Sequence, residues 1–365
     1  MNGTQRIITA LSREIPDRVP HFELAYNEES IIKIARCFTK DLPEPDYIQR
    51  LDLASRVRLF DAVLLVVEEL DVDGLVLRIF PEMRAIDADH FMDDWGVTFL
   101  LSPHGEAVVV DGPVHDPSDL DGYQPPKIKP SDLGALSYCA HRFAGTRASI
   151  LSVQDPFRRS WNVLGGMPNL LIAYGSNPEL VHRVARMVTD FTLDAIALGA
   201  ELGADLISMD GDIAHETGMI MSPQHFREFL KPYYAELVDF IHSKGLKVFK
   251  HTDGNHWKVM EDLIEVGFDG IHPIQPQSLD LATVKQEIGN RICLLGNIDC
   301  RETLVSKSIG EVEEEVRQAI RAAGPGGGYI LSSSNSIHPE VSAENYIAMV
   351  KATHEYGVYG TQDLP

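Results

Sequence analysis

Apolar and polar positions along this chain follow two alternating periods. Short apolar runs end abruptly in polar clusters, and a stretch of helical period follows each. The runs end as Ile207-Ser208-Met209-Asp210-Gly211-Asp212 and Val248-Phe249-Lys250-His251-Thr252-Asp253-Gly254, then Gly270-Ile271-His272-Pro273, Leu295-Gly296-Asn297-Ile298-Asp299 and Ile330-Leu331-Ser332-Ser333-Ser334-Asn335. Between them, Asn177-Pro178-Glu179 has the form of an N-cap with proline at the first helical position, and Leu180, Val181, Val184, Met187, Val188 and Phe191 continue as a helical stripe. Ser222-Pro223 opens another helix, with its stripe running from Phe226 to Ile241. Gly245 stops it and a strand over 246–249 follows at once.

Strands are expected near 19–24, 72–78, 149–153, 205–209, 246–250, 269–272, 292–296 and 328–332. Helices between them imply parallel pairing through right-handed crossovers. An open doubly wound sheet fits the same alternation, but eight units favour closure, so the expected fold class is α/β, a (β/α)8 TIM barrel. The stretch 79–147 breaks the rhythm with Asp93-Asp94-Trp95-Gly96-Val97 and Gln124-Pro125-Pro126. It reads as an excursion between the second and third strands, a β-hairpin with loops over the barrel mouth. No linker interrupts the pattern, so 1–365 reads as a single barrel domain. A parallel barrel delivers chemistry at its C-terminal strand ends, so the polar clusters are expected to face one cavity.

Composition narrows the partners. The net charge of −22, from 54 acidic and 32 basic residues, argues against nucleic acid or an anionic membrane surface. Cys37, Cys139, Cys293 and Cys300 show no CxxC spacing, as expected of a chain in a reducing compartment. No apolar run approaches the roughly 20 residues that span a bilayer, and Met1-Asn2-Gly3-Thr4-Gln5-Arg6 opens no signal-peptide core. The expected location is the cytoplasm.

Six segments, in order, carry a resemblance. They are Asp17-Arg18-Val19-Pro20, Asp93-Asp94-Trp95-Gly96, Met221-Ser222-Pro223-Gln224-His225-Phe226-Arg227, His251-Thr252-Asp253-Gly254-Asn255, Leu295-Gly296-Asn297-Ile298-Asp299 and Gly326-Gly327-Gly328-Tyr329-Ile330. Together they resemble the uroporphyrinogen decarboxylase superfamily, which implies the same barrel. True decarboxylases of that superfamily hold a tetrapyrrole with an arginine-rich N-terminal segment, an aspartate on the second strand and a tyrosine after the third. Here the segments read His21-Phe22-Glu23-Leu24-Ala25-Tyr26-Asn27, Leu77-Arg78-Ile79 and Asp155-Pro156-Phe157-Arg158-Arg159-Ser160-Trp161, without those residues. A mouth rich in Asp and Glu is also expected to repel the many carboxylates of uroporphyrinogen.

The other branch of the superfamily comprises corrinoid-dependent methyltransferases. Its thiol-accepting members bind zinc through a His-x-Cys pair and a distal cysteine in the eighth-strand loop. In this chain Asp253 replaces the first cysteine, and the loop reads Ser332-Ser333-Ser334-Asn335-Ser336-Ile337-His338. What remains resembles the methyltransferases of anaerobic O-demethylation, which move a methyl group from a methoxylated, typically aromatic, substrate to a corrinoid protein. On this resemblance the cofactor is a corrinoid carried on the partner, zinc is admitted, and a homodimer stays open.

The residues themselves suggest roles. His251 and Asp253 sit at i and i+2, on one side of a continuing strand. They are candidates for catalysis, as a metal pair joined by Asn335 or as a proton donor and its orienter; the competing reading is a structural His–Asp bond. Asp210 and Asp212 repeat that spacing and, with Asn297 and Asn335, are candidates for substrate binding; helix capping is the competing role. Glu23 is a candidate acid if burial raises its pKa. Tyr26, Phe22 and Trp161 are candidate pocket walls, though such residues are more often core. His272 reads as a satisfied barrel-top histidine. The alternatives are transfer from methyl-corrinoid to tetrahydrofolate or a thiol, a non-catalytic ligand- or corrinoid-binding barrel, and uroporphyrinogen decarboxylation.

Overall fold

The computed structural model describes residues 1–48, 50–79, 82–102 and 107–360. Parts of the expected excursion (80, 81 and 103–106) and of the 1–365 span (49 and 361–365) lie outside the described residues.

Among the described residues seven strands pair in parallel in chain order. They are β1 Gly74–Arg78, β2 Ala148–Gln154, β3 Leu206–Asp210, β4 Lys247–His251, β5 Gly270–His272, β6 Cys293–Ile298 and β7 Tyr329–Ser333. Their burial is nearly continuous, as helices covering a parallel sheet require. The sheet is curled, in the manner of a TIM barrel. Register sets the chemistry level across strands: Arg78 lies beside Ser152, Gln154 beside Asp210, and Asp210 beside His251.

The strand expected over 19–24 does not form. Isolated bridges join Arg18 to Val358, His21 to Leu331 and Tyr26 to Ile337. Pro20 lacks an N–H and so cannot sustain a ladder. The segment instead touches both edges of the sheet. Leu331 N donates to Pro20 O at 3.0 Å, and Asp73 N, just before β1, donates to His21 O at 2.9 Å. The Asp73 carboxylate returns the contact, accepting from His21 N at 2.9 Å and from Arg18 at 2.7 Å.

In place of a single hairpin, Arg84–Ala85, His90–Met92, Thr98–Leu101 and Ala107–Asp111 form a four-stranded antiparallel sheet between β1 and β2. Trp95 in its Asp93-Asp94-Trp95-Gly96 turn is buried under the Arg159 guanidinium, which also contacts Asp93 at 3.3 Å. The helix expected after Ser222 is two helices, Pro223–Phe229 and Lys231–Ser243. Pro232 cannot donate to the preceding turn, so the chain restarts there. No helix among the described residues is long and apolar enough to cross a membrane.

A buried ion pair lies beneath the ends of β3 and β4. Lys250 Nζ donates to Asp155 Oδ2 at 2.9 Å, to Gly211 O at 2.6 Å and to His251 O at 2.7 Å. Tyr234 donates its hydroxyl to the same Asp155 oxygen. Gly211 lies so close that a Cβ there would overlap the Asp155 carboxylate. Replacing Lys250 by Met leaves that carboxylate buried without its cation. We expect a loss of about 3–5 kcal/mol of stability, measured by urea denaturation; a loss under about 1 kcal/mol would show that Tyr234 alone satisfies Asp155.

Candidate active site

A cavity of about 640 Å³ opens at the C-terminal strand ends, a volume suited to a small molecule. One flank is apolar, with Leu59, Phe60, Val63 and Phe191. The lining also includes Glu23, Asp210, Asp212, His251, Asp253 and Asn335.

Asp212, His251 and Asp253 form the tightest cluster, with one donor atom from each lying within 4.8 Å of the others. His251 Nε2 is 3.7 Å from Asp212 Oδ1 and 4.0 Å from Asp253 Oδ1. Asp253 Oδ1 is buried and has no hydrogen-bond partner. The other oxygen, Oδ2, accepts from Asn335 Nδ2 at 2.6 Å, and Asp253 N donates to Asp212 Oδ1 at 3.0 Å. Burial foremost, then the charge of Asp212, raises the Asp253 carboxyl; His251 and Asn335 oppose. Burial also acts to raise Asp212, but His251, the Asp253 N–H, Lys250 and Arg158 together hold it below its usual range.

Hydrogen bonds behind His251 assign its tautomer. Ser332 Oγ donates to Ser333 O at 3.1 Å, so it accepts from His272 Nε2 at 3.0 Å. His272 Nδ1 is then the acceptor in its 2.9 Å contact with His251 Nδ1, which carries the proton. His251 Nε2 therefore presents a lone pair toward two carboxylates. Three electron-rich atoms turned on one another call for a cation between them, either a proton or a metal ion.

Glu23, beside Ser333 at the end of β7, is fully enclosed. Its oxygens accept from Ser333 N at 3.2 Å and lie 2.5 Å from Ser333 Oγ. The Ser333 hydroxyl has one proton and a second acceptor, Asn335 O, at 2.6 Å. A protonated Glu23 resolves this, donating to Ser333 Oγ while Ser333 donates onward. Desolvation pushes the Glu23 carboxyl up to about 8, against the pull of Ser333. Neighbouring His21, with Nε2 at 3.6 Å, is kept neutral by its own burial, which lowers it to about 3.

The structure brings Glu23, Tyr26, Asp210, Asp212, His251, Asp253 and Asn335 onto one cavity wall. Tyr26 spends its hydroxyl on Tyr346 at 2.6 Å, and Asp210 accepts from Ser152 at 2.6 Å and from Ser208. Three candidates lie elsewhere. Phe22 is sealed in the barrel interior against Phe249 and His272. Trp161 is buried against Phe157 and carries the Arg158 guanidinium on its ring. Asn297 sits beside Ser332 in the sheet, off the cavity wall. The metal set also changes. Asn335 Oδ1 accepts from Ser336 N at 2.6 Å, so its amide holds Asp253 and Asp212 takes the third place. Nor is the wall uniformly acidic: Arg56, Arg78, Arg158 and Arg159 line it. Cys300 approaches the loop after β7, 3.3 Å from Ser334 Oγ, but burial raises its thiol and it stands outside the cluster.

A family model described as uroporphyrinogen decarboxylase (URO-D) matches residues 62–356. The chain belongs to the URO-D family. A uroporphyrinogen decarboxylase of Hydrogenovibrio crunogenus is 25% identical over 183 residues, 49% of each chain. The methylcobamide:CoM methyltransferase MtaA of Methanosarcina barkeri is 31% identical over 156 residues, 43% of each. The chain thus spans about half the length of the curated relatives it matches. A solved methyltransferase from Methanosarcina mazei superposes over 98% of this chain and 99% of its own, with a TM-score of 0.73 and 19% identity, and so shares the fold. The two relatives stand at 25% and 31% identity, so identity does not choose between them.

Glu23 gives this family member a measurable pH signature. Between the ordinary value of 4.5 and about 8 the folded carboxyl keeps a proton that the unfolded chain has lost. Stability contributed by the neutral carboxyl is complete below that window and is lost as pH rises through it. Glu23→Gln should therefore gain more thermal stability over the parent at pH 8 than at pH 5, as read by calorimetry. An equal effect at both values would place the Glu23 pKa in the ordinary range.

Proposed function

We propose that this chain is a methyltransferase that takes the methyl group from a small methoxylated, aromatic compound and passes it to the cobalt of a corrinoid on a partner protein. The observation that carries the reading is the bare His251 Nε2 set between Asp212 and Asp253 on a small-molecule cavity. An ether methyl transfers poorly because its oxygen departs as an anion. The chain's task is to meet that negative charge and to aim the methyl group. As the carbon–oxygen bond breaks, its electron pair stays on oxygen. Glu23, which lines the cavity and holds its proton at neutral pH, would release that proton from its bond to Ser333 to the departing oxygen, leaving a neutral alcohol or phenol.

The cluster is also built to hold a divalent ion. Its imidazole nitrogen and two carboxylates suit zinc, and the partnerless Asp253 oxygen is the atom such an ion would satisfy. An ion held by Asp212, His251 and Asp253 supplies Lewis acidity toward the ether oxygen. His272 and Asn335 orient His251 and Asp253 for it through their own bonds. The corrinoid supplies the nucleophile that accepts the methyl group.

The relative named a methylcobamide:CoM methyltransferase favours a second reading, transfer from methyl-corrinoid to a thiol. The cluster offers carboxylates where a thiol would be better activated beside thiolates, which supports the first direction.

Incubation with a cobalt(I) corrinoid and methoxylated aromatics is expected to convert the corrinoid spectrum. No conversion, together with demethylation of methylcobalamin by a thiol, would decide for the second reading. Zinc added to the purified chain should remain at one ion per chain after dialysis. His251→Ala should abolish retention, and Asn335→Ala should weaken it by about tenfold or more. Equal retention by all three proteins would remove the metal from the site.

A further inference from the structure

Two guanidinium groups on the cavity wall neither supply a proton nor join the Asp212, His251 and Asp253 cluster. Arg158 stands in the first turn of the helix Pro156–Val163, just after β2, with its guanidinium 4.4 Å from the centre of the Trp161 ring. Arg78 ends β1, one strand away, and the carboxylate nearest to it, Asp210, is 4.0 Å distant and already engaged by Ser152 and Ser208. Among the described residues neither guanidinium makes a hydrogen bond, and no carboxylate approaches Arg158 within 4.0 Å. The adjacent Arg159 shows what a structural arginine does here: it pairs with Asp93 and packs on Trp95. Desolvation, with the like charge of Arg78 adding to it, holds Arg158 below its usual range despite Asp212 and Asp155. A half-buried cation fixed on an aromatic ring, beside a second cation and lining an open volume, is arranged for an anion that the chain itself does not provide.

We propose that Arg158 and Arg78 bind a carboxylate on the methyl-bearing molecule, so that the substrates are methoxylated carboxylic acids. The assignment rests on reading this cavity as the methyl-donor site. A carboxylate is planar and matches the two-pronged donor face of a guanidinium. It carries one charge, whereas a phosphate dianion would meet stronger repulsion from Asp210 and Asp212 on the same wall. The apolar flank of Leu59, Phe60, Val63 and Phe191 then covers the body of the molecule. Its anionic end is drawn toward β1 and β2, and its ether end is left for the cluster on β3 and β4.

Isothermal titration of the full chain with 4-methoxybenzoate and 4-methoxybenzamide, without corrinoid, tests this directly. The benzoate should bind at least about tenfold more tightly than the amide. Arg158→Gln and Arg78→Gln should each weaken the benzoate by about tenfold or more and leave the amide unchanged, with circular dichroism confirming the fold. Equal affinity for the two probes, an unmoved benzoate affinity in Arg158→Gln, or binding of neither by the unaltered chain would overturn the assignment. The two readings fail separately. Benzoate-selective binding without methyl transfer to cobalt(I) would support the arginine pair and overturn the donor role of the cavity.

Discussion

The contact between Lys250 and Asp155 governs the rest of the site. Lys250 buries its ammonium beside Tyr234, on the helix-covered face of the sheet, where it holds the Gly211 and His251 carbonyls and the Asp155 carboxylate. Those carbonyls belong to the turns that present Asp212 and His251. One buried charge therefore fixes the relative height of two strands, and Gly211 is glycine because the Asp155 carboxylate fills the space of its missing side chain. A pair so completely enclosed gives little net stability by itself. Its effect is geometric: it leaves the turns carrying Asp212 and His251 a single arrangement.

Much of this was legible in the sequence. Alternating apolar runs and helical stripes gave the parallel sheet, and polar residues at the strand ends located the cavity wall. The i, i+2 spacing of His251 and Asp253 put both in one cluster. What spacing along a single strand does not carry is a partner from the next strand. Asp212 joins because β3 and β4 pair with Asp210 level with His251, a matter of register. The role of Asn335 depended on which end of its amide faces Asp253, which only the bond from Ser336 decides. Phe22 and Trp161 were ambiguous by composition, since an aromatic residue near a strand end serves a core as readily as a pocket. The arginines were visible as letters, but the net charge of −22 concealed that four of them meet at one wall.

Similarity to relatives of two chemistries leaves the strand-end residues of this chain to carry the proposed reading. The barrel is common ground, and the identities to the two kinds of relative lie close together. At its strand ends this chain presents Arg78 on β1, Arg158 after β2, Asp253 after β4 and Asn335 after β7. On a shared scaffold, the side chains at such positions decide what a cavity can recognise.

The seam between the first and last strands carries a further consequence. The residues that close the sheet, Pro20 and His21, lie only two to three positions from Glu23, and their closure is pinned by Asp73 to Arg18. Fraying of this N-terminal stitch would admit water to the carboxyl whose proton depends on dryness. The protonation of Glu23 is thereby coupled to a local zipper, and would change at this edge before the helices and remaining strands came apart.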